Sequence, residues 1–118
     1  MPDERPVLVL ISADPRSSHR ANEAMRIGLG IVAGENEVSF VLRGPAAHLL
    51  DADTDELADG DDIAKFRGNL KRLDIPFLLE EADVPPDPDW NADGHPLRRI
   101  GRADLVALVR HARQVMVF

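Results

Sequence analysis

A chain of 118 residues, 44% hydrophobic and without cysteine, fits one domain and rules out disulfides, thiolate metal sites and a catalytic thiol. The formal net charge of −7 argues against a general nucleic-acid binder, because phosphate contacts need a basic face. No apolar run approaches the ~20 residues of a membrane span, and the start, Met1-Pro2-Asp3-Glu4-Arg5, lacks the pattern of a signal peptide, so a cytoplasmic protein is expected.

Val7 to Ile11 is a short continuous apolar run, the signature of a strand covered on both faces. A polar loop, Ser12 to Ser18, follows, with Ser17 or Ser18 available as a helix N-cap. Ala21, Ala24, Met25, Gly28 and Val32 recur at helical spacing, and Gly34 is placed to end that helix. Glu37 to Leu42 reads as a second strand, broken by Arg43-Gly44-Pro45. Residues 51 to 62 then hold Asp51, Asp53, Asp55, Glu56, Asp59, Asp61 and Asp62 with no Lys or Arg, so this segment accounts for the whole net charge. Asp61 or Asp62 can cap a helix whose apolar face is Ile63, Phe66, Leu70 and Leu73, with Lys71 and Arg72 suiting the dipole of its last turn.

Ile75 to Leu79 predicts a third strand. Pro85, Pro86, Pro88, Gly94 and Pro96 argue against a regular element between 83 and 96. A final helix carries Leu105, Leu108, Val109 and Ala112, and Val115 to Phe118 reads as a closing strand. Strands alternating with helices imply a single three-layer α/β/α domain over residues 1–118, with a mostly parallel sheet of about five strands.

Several of these pieces together resemble the DsrE/DsrF-like family, which includes the sulfur-relay subunits TusB, TusC and TusD. They are the polar loop and Ala-rich helix, Ala21 to Leu29, after the first strand; the strand Phe40-Val41-Leu42 running into Arg43-Gly44; and the closing helix and strand, Ala103 to Phe118. The resemblance implies oligomers, trimeric or hexameric, or a partner protein. Members that carry sulfur do so on a cysteine just after the third strand, a place that falls here at Leu79-Glu80-Glu81. A carboxylate forms no persulfide, since sulfane transfer needs a thiolate. The expected function is therefore a non-catalytic subunit or a binder of a small ligand or partner.

Parallel α/β sheets place ligands beyond the carboxyl ends of their strands. Arg16, Ser17, Ser18 and His19 lead into the first helix, and Arg43 and Gly44 follow the second strand; together they are candidates for holding a small anion, the plain alternative being a capped helix with solvated charges. Glu80 and Glu81 end an apolar strand and are candidates for a general acid or base partnered by His19 or His48, which defines a rival, enzymatic reading. Trp90 and His95, in the Pro-rich loop, are candidates for a subunit contact, Trp90 otherwise plugging a local gap. Asp51-x-Asp53-x-Asp55 lacks the Gly and Glu that a calcium loop needs at its sixth and twelfth positions, which are Glu56 and Asp62. The acidic segment is therefore a solvated loop or a salt-sensitive docking surface. His111 reads as a surface residue favoured by the helix dipole. No metal and no cofactor is expected.

Overall fold

The computed structural model describes residues 4–118. Its strands are β1 (Val7–Ile11), β2 (Val38–Leu42), β3 (Phe77–Glu80), β4 (Leu97–Ile100) and β5 (Gln114–Val117); its helices are α1 (Arg20–Ala33), α2 (Gly60–Arg72) and α3 (Arg102–His111). Two 3-10 segments, Gly44–Leu50 and Glu81–Asp83, follow β2 and β3. The five strands form one parallel sheet in the order β4-β3-β2-β1-β5.

Because side chains alternate along a strand, each strand serves two cores. Val7, Val9 and Ile11 of β1 join Phe40, Leu42, Phe77 and Leu79 on one face, under α1 and α2. Leu8, Val41, Leu78 and Ile100 lie on the other, under Leu105 of α3. Coverage on both faces explains why β1 and β2 are nearly continuous apolar runs rather than alternating ones. The first core is the larger. Phe40 and Phe77 meet there with ring centroids 6.0 Å apart and planes tilted by 59°, and α1 comes so close that a Cβ on Gly28 would stand 2.3 Å from the Phe40 ring.

Beyond shifts of one or two residues at strand ends, the elements depart from the sequence reading in four places. The residue flanking α1 is His19, with no side-chain cap of its own; Ser17 does not cap, whereas the Ser18 hydroxyl accepts the N–H of Arg20, the first residue of the helix, at 3.1 Å. The N-cap of α2 is Asp59 rather than Asp61 or Asp62, with left-handed backbone (φ 58°). Leu73 falls past the end of α2 and is 57% exposed, while Arg67 takes a buried place on that face. Finally, Leu97–Ile100 forms an edge strand that the Arg98-Arg99 pair disguises as loop. Charges on an edge strand discourage sheet-to-sheet pairing.

Candidate functional site

The β2–β3 register pairs Val41 with Leu78, and the β3–β4 register pairs Glu80 with Ile100. Two residues beyond the first pair stand Arg43, whose backbone is still extended (φ −124°, ψ 138°), and Glu80, the last residue of β3. Side-chain alternation therefore sets Ser12, Arg43 and Glu80 in one transverse row on the α3 face, at the carboxyl end of the sheet. Arg102, the first residue of α3, closes the row. These four residues line a cleft of about 330 Å³ together with Gly44-Pro45 and Asp83. The Gly44 backbone is left-handed there (φ 53°), which a glycine adopts freely and which turns the chain sharply away from β2.

Charge in the cleft is unevenly satisfied. Glu80 Oε2 accepts from Arg102 Nε at 3.2 Å, whereas Glu80 Oε1 is closed from solvent and has no donor among the described residues. Arg43 is half-buried, and among the described residues its guanidinium makes no hydrogen bond or ion pair. The cleft runs on past Gly44-Pro45 and Ala82-Asp83 into a second hollow of about 650 Å³, whose far wall is Arg16, His48 and the stretch Val84 to Asp87.

The other candidates are distributed differently from the sequence expectation. Arg16 is taken up by Asp14, its Nε and Nη2 donating to the carboxylate at 3.0 and 2.9 Å; this fork holds the Asp14 carboxyl below its ordinary range. Ser17 closes a turn onto the Asp14 carbonyl. His19 pairs with Asp59 (2.6 Å) and His48 with Asp51 (3.0 Å), so neither imidazole partners Glu80. Glu81 is 70% exposed and pairs with Arg99, outside the cleft. The loop before α1 and the acidic segment are tied together, since Ala58 N–H donates to the Pro15 carbonyl at 2.7 Å.

Trp90 and His95 turn toward their own chain. The Trp90 indole donates to the Ala47 carbonyl at 2.8 Å and packs on the larger core, taking the gap-filling role. His95 is 6% exposed, which withdraws it from any outward contact. Arg67, missed in the sequence, is 4% exposed and gathers this region: it donates to the carbonyls of Leu49 (3.0 Å) and Asp51 (2.6 Å) and to Asp93 (2.9 Å). Its spacing of four from Ile63 was the available signal. Among the described residues, no group of three or more His, Asp or Glu is arranged to hold a metal ion, and no helix is long and apolar enough to cross a membrane.

A five-stranded parallel sheet with two helices on one face and one on the other makes this an α/β/α protein of DsrE/F-like fold. The crystal structure of the ychN protein from E. coli has this fold, matching with a TM-score of 0.72 over 97% of this chain and 99% of that one, at 14% sequence identity. No family model matches the sequence, and no curated protein matches it.

Proposed function

We propose that the chain is a non-catalytic binding protein of DsrE-like fold that takes a small anionic ligand in the cleft between Arg43, Glu80 and Arg102. The observation that carries this reading is the free, half-buried Arg43 guanidinium at the carboxyl edge of a parallel sheet. A guanidinium presents a planar fork that fits an oxyanion, and its charge-assisted bonds are strong where water is partly excluded. Glu80 neutralises Arg102, and Asp83 at the same cleft favours a ligand that also offers a hydrogen-bond donor. A link to sulfur metabolism rests on the family resemblance alone. With no cysteine in the chain, that role is binding rather than persulfide carriage.

The test is titration calorimetry with thiosulfate, sulfate, phosphate and acetate as probes. At least one is expected to bind, and Arg43→Gln to weaken it by about tenfold or more. No binding by any of the four, or binding indifferent to Arg43→Gln, overturns the reading. The enzymatic alternative through Glu80 has less support, because no imidazole reaches that carboxylate and Arg102 already occupies it.

A second role, as a subunit of an oligomer, is supported by the thinly covered α3 face. One helix of ten residues spans it, leaving Val106 and Val109 of α3 and Val115 and Val117 of β5 between 36% and 61% exposed. The β5 pair continues an apolar surface, since Val115 and Val117 lie in register with Leu8 and Leu10 on an edge strand. Native mass spectrometry at micromolar concentration is expected to give an oligomer, reduced to monomer by Val117→Glu. A wild-type monomer under the same conditions removes this role.

A further inference from the structure

We infer that residues 84–96 form a strap latched over the molecule by neutral His95, and that protonation of His95 releases it. The strap ends where the Phe77 N–H donates to the Pro96 carbonyl at 3.0 Å, and before that it is fastened at few points. Trp90 donates to the Ala47 carbonyl, the Asn91 N–H donates to the Leu50 carbonyl at 3.0 Å, and Asp93 receives Arg67 through its carboxylate and Lys71 through its backbone carbonyl. Asn91 also clamps His95: its side-chain oxygen accepts the His95 N–H at 3.0 Å, and its amide donates to the His95 carbonyl at 3.1 Å. The prolines at 85, 86, 88 and 96 restrict the strap's backbone, and left-handed residues at Asn91 and Gly94 make its turns.

Under this strap His95 is 6% exposed, and among the described residues neither of its ring nitrogens, both closed from solvent, has a partner. The neutral ring tolerates this at a cost; the imidazolium does not, because it would bury two unmet donors and a charge. The charged groups around it are Arg67 and Lys71 from α2 and Asp93 from the strap, and the Asp93 carboxylate is already engaged by Arg67. Burial first, then repulsion by Arg67 and Lys71, pushes the imidazole below its ordinary range, with Asp93 opposing. The sign follows. A depressed value means that the closed strap is fully favoured above about pH 6.5 and is progressively lost as pH falls below it, by up to about tenfold in the open-to-closed ratio per pH unit. Val84 to Asp87 wall the second hollow, so an open strap removes that wall. This inference stands whether or not the cleft binds an anion.

Trp90 is the single tryptophan and sits in the strap, so its fluorescence reports the latch directly. Between pH 8 and pH 5 the wild-type emission is expected to shift to the red and acrylamide quenching to rise, with far-UV circular dichroism constant. His95→Phe is expected to stay closed across the range. Should that variant fold poorly, His95→Gln and the indole N–H resonance of Trp90 in the wild type give the same readout. A wild-type emission independent of pH, a non-titrating variant that follows the wild-type curve, or loss of circular dichroism in step with the shift each overturns the latch.

Discussion

Replacing Arg67 by Met is expected to destabilise the protein by about 3 kcal/mol, or roughly 10 °C in melting temperature. The guanidinium is buried and satisfies three acceptors at once, two of them carbonyls at the end of the 3-10 segment Gly44–Leu50. Methionine fills much of the volume but leaves the Leu49 and Asp51 carbonyls without their donor. Hydrogen bonds from a charged donor contribute more than neutral ones, and the unmet partner sets most of the loss. Arg67→Lys is expected to recover only part, since a single ammonium nitrogen replaces two, Nη1 reaching the Leu49 and Asp51 carbonyls and Nη2 reaching Asp93. By contrast, Arg26→Met removes an exposed ion pair with Glu23 and is expected to change stability by less than about 0.5 kcal/mol. Thermal denaturation of the three variants decides the point. Equal losses for Arg67→Met and Arg26→Met would sink the assignment of Arg67 as the tie between α2, the 3-10 segment and the strap.

Gly60→Ala is expected to cost about 2–3 kcal/mol. A Cβ at Gly60 would stand 2.0 Å from the Thr54 carbonyl oxygen, a backbone atom that cannot rotate aside. Thr54 in turn accepts the Leu57 N–H, and Ala58 is bonded to Pro15, so the whole acidic loop must move to admit one methyl. Gly30, within α1, is the control: nothing lies within 4 Å of its Cβ position, and alanine there is expected to stabilise by about 0.5–1 kcal/mol through helix propensity. Opposite signs for the two substitutions in urea denaturation are the expected result. A neutral Gly60→Ala would mean that the loop between the 3-10 segment and α2 is not packed as described.

How much of this was legible in the sequence depended on range. β1 and β2 could be read because burial on both faces writes a continuous apolar run. β4 could not, because an edge strand with Arg98 and Arg99 in its centre has only two apolar residues, and they are not alternating. The carboxyl-edge positions of Arg43 and Glu80 followed from the strand ends. Their shared face became visible only with the register, which no local pattern encodes. The expected pairing of His19 with Glu80 fails for the same reason. His19 finds Asp59 forty residues away, across a contact between the first loop and the acidic loop. For Trp90 the sequence leaves a subunit contact and a gap-filling role both open, because a proline-rich loop carries no periodicity; the inward turn depends on Arg67 and on carbonyls of a 3-10 segment that composition does not announce.

The placement of α3 bears on the order in which the molecule is made. It joins β4 to β5, which are opposite edges of the sheet, so one connection completes both flanks. A nascent chain that has emerged through β3 already holds the three inner strands and both helices of the first face. Its second face is still bare, with Leu8, Val41 and Leu78 uncovered until α3 arrives. β5 must then find β1, the earliest strand, across nearly the whole sequence. Such distant pairing is slow to form, and the interval is one in which a chaperone or a sister chain meets the apolar face first.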